Sequence, residues 1–487
     1  MASAGNENVE GISSVPRPKE WIQQRYIVAA MGAICIMMQY ILKVNLSVGI
    51  VAMVKPLRTP GSNDTDTASS EDEGGEFSWS MELQGHILAA YYYGYVATQF
   101  FGGYAANRWG GKVVVGPGIA LTGFFTVFSP IAARRGGPWS LFVVRVLEGM
   151  CSGVILPGMH HMFSVWFPPC ERSAFSGMIF SSLYFGTVIG MAASGPLSLW
   201  PLEGGGWPMI FYFFGVLGVL IIIPWWILIF DSPATHPHIS EGEKNFILKE
   251  MGKEEKHFDT KREVPWFHLL TDIHLWTGIT FHWGTAWVLY TMLSDLPTYM
   301  KNVLYFDIQE LSFLSALPSL LTWISSIISG ILSQWLRKKN YVSHIAAYKI
   351  FNGIAALGPT VCLIVITQVQ SDPQIIVALL ALNGLAAGAF FGGSYVNHID
   401  LAVNFTGITS GILHTVLNSS GIVTPLVIAA IVGGEQTMER WAIVFYLGAG
   451  ISAGTYLLYL VFGSVRERPW NNMNDENGRR IQDPSKA

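Results

Sequence analysis

The chain has 487 residues, of which 51% are hydrophobic and 13% charged, with a mean hydropathy of +0.39. Soluble domains carry roughly a quarter charged residues, so this composition excludes an ordinary water-soluble fold. A net charge of -4 and a pI near 6.3 give no electrostatic basis for binding nucleic acid.

A polar N-terminal tail, residues 1–25, precedes the first apolar run, Tyr26 to Met53, which is too long for a cleaved signal peptide and is expected to remain as a spanning helix. Lys43 lies past its middle, where it either reaches toward the outer interface or meets a substrate. The loop at 54–77 is acidic and rich in Gly, Ser and Thr, which predicts disorder. It carries the glycosylation triplet Asn63-Asp64-Thr65; other such triplets fall in or beside spans, so Asn63 is the candidate. The second run, Leu83 to Ala106, holds Tyr91, Tyr92, Tyr93 and Tyr95, a cluster covering nearly the whole helix circumference. Some of it must face lipid, and Tyr92 or Tyr95 is a candidate for lining a cavity.

Between this run and the third, Val113 to Ala133, lies Gly103-Tyr104-Ala105-Ala106-Asn107-Arg108-Trp109-Gly110-Gly111-Lys112. Its glycines suit a tight turn and its cations suit helix ends; taken alone, it reads equally as an ordinary basic loop. The fourth run, Trp139 to Val165, places Arg145 among apolar residues, with Glu148 on the same helix face. A charge at that depth costs at least about 2.5 kcal/mol and implies a water-filled path or a partner. Arg145 could receive an anion while Glu148 neutralises it in the empty site, or the two could form a permanent structural pair. His160 and His161 follow Pro157-Gly158 in the same run; His86, His282, His398 and His414 lie in or beside others. A lone histidine in a membrane is more often a hydrogen-bonded structural residue than a proton carrier.

Runs at Phe175 to Trp200 and Pro208 to Phe230 complete a first set of six, residues 26–230. The polar segment 231–270 follows, where Ser240-Glu241-Gly242-Glu243 reads as a reciprocal capping box opening a short surface helix. Six more runs fill 271–462: Ile273 to Pro297, Leu311 to Leu336, His344 to Thr367, Gln374 to Ile399, Thr406 to Val432 and Trp441 to Phe462. Asp295 sits near the outer end of the seventh, and Asn397 and Asp400 are expected to end the tenth and brace an inner gate. A polar tail covers 463–487. If both termini are cytoplasmic, only Lys55, Arg58, Arg134, Arg135, Lys301 and Arg440 fall in outer loops, which supports an even number of spans. The four cysteines, Cys35, Cys151, Cys170 and Cys362, fit neither a disulfide framework nor a zinc site.

These features predict an all-α membrane protein with two pseudo-symmetric six-helix halves and a site between them. The loop from Gly103 through Asn107, Arg108 and Gly110 to Lys112 resembles the signature loop of the major facilitator superfamily, with Asn107 where an acidic residue is common. Leu42-Lys43-Val44-Asn45-Leu46-Ser47-Val48, Arg145-Val146-Leu147-Glu148-Gly149, Trp166-Phe167-Pro168-Pro169-Cys170-Glu171-Arg172-Ser173, Leu296-Pro297-Thr298-Tyr299-Met300 and Asn397-His398-Ile399-Asp400 are similar to the anion:cation symporter family. That family includes sialin, the vesicular glutamate transporters and the type I sodium-phosphate cotransporters. The resemblance implies a twelve-helix major facilitator fold and anion contact by Arg145 and by Lys43, which stands where the family usually has arginine. It also implies that His160 matches the family's span-four histidine. Proton-coupled relatives carry a carboxylate seven residues beyond the span-four arginine; here that position is Ser152, which cannot titrate. Thr285 stands where vesicular glutamate transporters have a further arginine.

The expected activity is therefore cation-coupled (Na+ or H+) symport of phosphate, an acidic sugar or a similar small anion by alternating access. The alternative is a voltage-driven anion uniporter or channel-like facilitator without a co-ion. Glu148, His160, Asp295, Asn397 and Asp400 are the candidates for ion coupling or gating, and Arg145, Lys43, Tyr92 and Tyr95 for substrate binding. No nucleotide loop, nucleophile or metal cluster is visible, so neither an enzyme nor a resident cofactor or metal is expected. The partners expected are the small anion and the lipid bilayer, with the chain working as a monomer in the plasma membrane or an endolysosomal or vesicular membrane.

Overall fold

The computed structural model describes residues 23–54, 75–79, 81–198, 200, 206–251, 264–292, 308–369, 373–432 and 437–472. Asn63, Asp295 and the segment Leu296 to Met300 lie outside these residues. Almost everything described is helical, because a chain immersed in hydrocarbon must satisfy each backbone polar group within its own segment.

Among the described residues twelve passes can be followed. The first six are formed by α1 (Gln24–Met53), α2 (Met81–Trp109), α3 (Gly111–Gly153) continuing into α4 (Ile155–Trp166), α5 (Arg172–Ile179) with α6 (Ser182–Ser198), and α7 (Pro208–Leu220) with α8 (Ile222–Leu228). After the surface helices α9 (Glu241–Glu250) and α10 (Trp266–Thr271), the second six begin with α11 (Ile273–Tyr290), α12 (Ile308–Lys338) and α13 (His344–Gln368). They end with α14 (Pro373–Ala387), which leads to the short α15 (Asn397–Leu401), then α16 (Thr406–Val432) and α17 (Met438–Phe462). Large apolar side chains such as Phe101, Phe124, Ile227 and Val461 stand exposed on the outer surfaces of these helices, where lipid would cover them.

The third and fourth passes keep the two runs read in the sequence, while the fifth and the tenth are broken within theirs. The third and fourth are two helices that meet without a loop at Gly137, where the backbone is not helical, and α3 denotes both arms. With φ 69° and ψ -165°, this residue adopts a backbone that a side chain would strain, and Pro138 follows it. The fifth is interrupted between Ile179 and Ser182. The tenth, read as continuous to Ile399, leaves α geometry after Ala387: Gly388–Gly392 and Ser394–Val396 are 3-10 turns separated by Gly393. Asn352 of α13 meets the loosened backbone there, accepting from Ser394 N at 2.9 Å and donating to Ser394 Oγ at 2.8 Å.

The capping box is half formed. Ser240 accepts from Glu243 N at 3.2 Å, but the Glu243 carboxylate turns to α1, taking Gln24 N at 2.8 Å and Arg25 N at 3.1 Å. A buried acid thus caps the first transmembrane helix, which has no side-chain cap of its own. Arg25 in turn pairs with Glu171 at 2.8 Å, so the surface helix α9, α1 and the start of α5 lock together. Near the other end of the chain, Asp272 caps α11 with one oxygen and accepts from Arg468 and Trp470 with the other. Burial works against its charge, and the Trp470 and Arg468 bonds outweigh that, holding its carboxyl below the usual range.

The two sets of six pack internally through pairs such as α2 with α3 and α13 with α17. They meet each other along α2 with α16 and α5 with α12. Gly103 faces the Gly407 carbonyl across the first of these seams with no room for a Cβ, so the two backbones approach directly.

Candidate substrate site

At the middle of the molecule α1, α2 and the second arm of α3 converge. Arg145 is 2% exposed and donates from Nη1 to Glu148 Oε2 at 2.9 Å and from Nη2 to the Lys43 carbonyl at 3.2 Å. Its guanidinium lies 5.1 Å from the Tyr91 ring centre. Glu148, fully buried, accepts on its other oxygen from Thr126 at 2.7 Å. The charges of the pair therefore offset each other within the protein while Arg145 Nε has no hydrogen-bond partner, and the planar fork of Arg145 is what lets one side chain reach both a carboxylate and the backbone of α1.

Lys43 is held differently. Its ammonium sits among four tyrosine rings, 4.6 Å from Tyr92, 4.8 Å from Tyr95, 5.0 Å from Tyr40 and 5.9 Å from Tyr91. No carboxylate pairs with it among the described residues. Ring faces stabilise a cation by about 0.5–2 kcal/mol each without occupying its N–H groups as an oxygen would. Lys43 is thus a buried charge with its hydrogen-bonding capacity unspent. Lys43→Met is expected to leave the tyrosine cluster packed and to remove saturable anion uptake; uptake at the wild-type rate by the purified variant in vesicles would exclude Lys43 from the transport path.

Ser152 faces the same cluster. It accepts from Tyr91 OH and, through both its hydroxyl and its carbonyl, from Gln39 Nε2 at 3.1 and 2.9 Å. Seven residues beyond Arg145, Ser152 thus belongs to a neutral Gln39–Ser152–Tyr91 network.

A cavity of about 180 Å³ adjoins the cluster, with residues of both halves in its wall. Tyr40 belongs both to the wall and to the ring of tyrosines around Lys43. Tyr184, Thr285, Tyr290, Asn383 and Asn418 supply polar atoms, and no Asp, Glu, Lys or Arg takes part among the described residues. Arg145 lies behind this wall rather than in it. Tyr92 meets Tyr290 of the opposite half edge-on at 6.3 Å, Tyr95 stacks on Tyr91, and Tyr93 is exposed on the outer surface.

Ties between the halves run from this level to the face that carries both ends of the described chain, termed here the terminal face. Gln99 meets Asn418 at 3.3 Å and His160 meets His414 at 3.3 Å. Nearer the face, Arg172 donates to Asp400 at 2.7 Å, and Tyr348 holds the other Asp400 oxygen at 2.8 Å. Asn107 donates to the Asn404 carbonyl at 3.2 Å and accepts from Gly407 N at 3.1 Å. Asn397 binds the Ser464 carbonyl. Of the remaining loop residues, Arg108 is exposed and Lys112 donates to the Trp226 carbonyl. Gly110 has φ 95° and lies against the Asp231 carboxylate, which also accepts from Lys112 N at 2.8 Å. The cavity is thus sealed toward the terminal face.

Tyr40, Gln39, Tyr290 and Asn418 were not singled out from the sequence. For the first two a signal existed: Gln39 and Tyr40 lie one helical turn before Lys43, on its face. Tyr290 and Asn418 join the site only through the packing of the opposite half.

Residues 27–351 match the sequence model of the Major Facilitator Superfamily. Sialin of Homo sapiens is 36% identical over 467 residues, covering 94% of this chain and 92% of sialin. Vesicular glutamate transporter 2.1 of Danio rerio is 32% identical over 454 residues, covering 92% of this chain and 75% of that protein. Among solved structures, the proton:xylose symporter XylE bound to 6-bromo-6-deoxy-D-glucose superposes with a TM-score of 0.64 at 14% identity, covering 91% of this chain and 97% of XylE. A partially occluded inward-open form of XylE from E. coli gives 0.59 at 12% identity, with 90% and 98% covered. At that identity the structural likeness is one of fold.

Proposed function

This chain belongs to the major facilitator superfamily, in the anion:cation symporter family with sialin and the vesicular glutamate transporters, and from that membership we propose cation-coupled symport of an inorganic or small organic anion by alternating access. A multi-pass membrane transporter of this family needs a cation that can exchange hydration for contact with its cargo. Lys43, buried among tyrosines of which Tyr40 also lines the cavity, and paired with no acid among the described residues, is the observation that carries the reading. The anion enters the cavity, meets Lys43 past Tyr40, and displaces part of the Arg145–Glu148 pairing. Phosphate, an acidic sugar and an acidic amino acid are the cargo classes. In this reading 26–230 and 271–462 are the halves that rock, the linker 231–270 and both tails are cytoplasmic, and the membrane is plasma or endolysosomal. Asn63 is the site of glycosylation.

One observation favours a second reading. The neutral Gln39–Ser152–Tyr91 network cannot exchange a proton as a carboxylate would, which suits a uniporter driven by voltage alone. Uptake of inorganic phosphate, glucuronate and L-glutamate into proteoliposomes under separately imposed Na+, proton and voltage gradients distinguishes the two. Accumulation above equilibrium with Na+ or protons at zero voltage is the expected result; flux that follows voltage alone replaces symport with facilitated diffusion.

A further inference from the structure

Four buried histidines, His160, His282, His398 and His414, gather beside the cavity where the tenth pass is broken. They are unequal in what surrounds their nitrogens. His398 has no hydrogen-bond partner at either ring nitrogen, and His414 has none at Nδ1. The Nδ1 of His160 faces the Leu156 carbonyl at 2.9 Å and His414 Nε2 at 3.3 Å. His282 alone has a carbonyl oxygen at each nitrogen: Gly278 O lies 2.8 Å from Nδ1 and Tyr395 O lies 3.1 Å from Nε2.

A carbonyl oxygen only accepts, and a neutral imidazole has one N–H. Either neutral tautomer of His282 therefore points a lone pair at a carbonyl oxygen, whereas the imidazolium donates to both. The second carbonyl is offered because the helix is broken: Tyr395 lies in the 3-10 turn Ser394–Val396. Unwound backbone carbonyls of this kind are what transporters use to hold a driving cation.

On these grounds we propose that the coupling cation is a proton and that its seat is His282. The inference rests on the symport reading above and names the ion and the site within it. Phe390 and Tyr395, whose rings pack against His282, also form the cavity wall, so an anion inside would have a positive charge on either side of it, Lys43 and the protonated His282. Each occupant then strengthens binding of the other, which is the thermodynamic requirement for symport. The titratable groups facing His282 are His398 from α15, His414 from α16 and His160 from α4. Arg172 and Asp400 lie beyond His398 and neutralise each other. Packed on the same helix, α13 and α17 bring Tyr348, Tyr456 and Tyr459, while α10 meets the start of α11, near His268 and Asp272. Among the described residues no acid forms an ion pair with His282, so its counter-charge is the cargo. When the halves part on the terminal side, water reaching His398 gives the proton an exit.

The seat is tested without cargo by 15N NMR of the full chain, labelled at histidine, in nanodiscs at about pH 5.5, where an ordinary imidazole is charged and one walled off from any acceptor stays neutral. An imidazolium signal that disappears in His282→Gln is expected. Contact between that signal and a 13C-labelled tyrosine carbonyl assigns it even if the variant does not fold. A neutral His282 overturns the proposal. In proteoliposomes loaded with glucuronate, phosphate or L-glutamate, His282→Arg should retain exchange of internal for external anion and lose accumulation driven by a proton gradient. Undiminished proton-driven accumulation in His282→Gln also overturns the seat while leaving symport intact. A protonated His282 in a wild type that accumulates anion only with voltage sinks the symport reading instead, and with it the coupling role.

Discussion

Arg145→Lys is expected to reach the membrane in normal amount and to transport anion at least about tenfold more slowly, a loss of about 1.4 kcal/mol in barrier terms. The reasoning starts from the two bonds of the guanidinium, one to Glu148 and one to the Lys43 carbonyl. A lysine ammonium keeps the charge that neutralises buried Glu148 but cannot span both acceptors, so α1 loses its tie to the fourth pass exactly where Lys43 is positioned. Arg145→Ala is a harsher change. It leaves Glu148 buried with Thr126 as its remaining partner, at a cost of about 3–5 kcal/mol to stability. The pair Arg145→Ala and Arg145→Ala/Glu148→Gln separates the two roles: the double variant is expected to recover surface expression and to remain inactive. Recovery of flux together with expression would assign the pair to structure alone.

Asp400→Asn is expected to open the terminal face. In the closed arrangement the Asp400 carboxylate joins the halves through Arg172 and is itself held by Tyr348, with the ionic side chains 3% and 6% exposed. Removing its charge leaves the Arg172 guanidinium buried without a counter-ion, and about 3 kcal/mol lost from the closed form alone shifts the balance between closed and open roughly 100-fold. A cysteine placed at Ala402, fully buried in this arrangement, reports the change when Cys35, Cys151, Cys170 and Cys362 are replaced by serine. Its reaction with a membrane-impermeant thiol reagent applied at the terminal face should accelerate in Asp400→Asn. The exchanged pair Arg172→Asp/Asp400→Arg should restore protection in part. No acceleration would mean that the neutral ties are sufficient to hold the seam.

The passes were legible because hydrocarbon imposes one rule on all of them, and the rule is written in composition: long apolar runs with Lys and Arg sorted to one side. What could not be read was where a helix stops being regular inside such a run. At Gly137 the chain turns from one helix into the next with no loop between them, and the tenth pass unwinds at Gly388 although its residues remain apolar. The second depends on which neighbour is available to meet the backbone, as Asn352 does for Ser394, and that is a tertiary fact. The charged residues stood out in the sequence for the same reason the spans did. Their partners were less visible. Arg145 and Glu148 lie on one helix and could be paired by spacing, whereas the tyrosine ring around Lys43 draws on two helices and the carbonyl clamp on His282 on distant segments. Likewise Glu243 reads locally as a partner for Ser240, yet its carboxylate serves the amides of Gln24 and Arg25, more than two hundred residues away in sequence.

The Asn107 amide has a consequence for the conditions under which the protein can work. Bonds between an uncharged amide and backbone groups have no ionic atmosphere to disperse, and the Arg172–Asp400 pair that joins the halves is too enclosed for dissolved salt, whose screening length is about 8 Å at physiological strength, to weaken it. Opening of this seam should proceed at much the same rate in dilute buffer and in concentrated electrolyte.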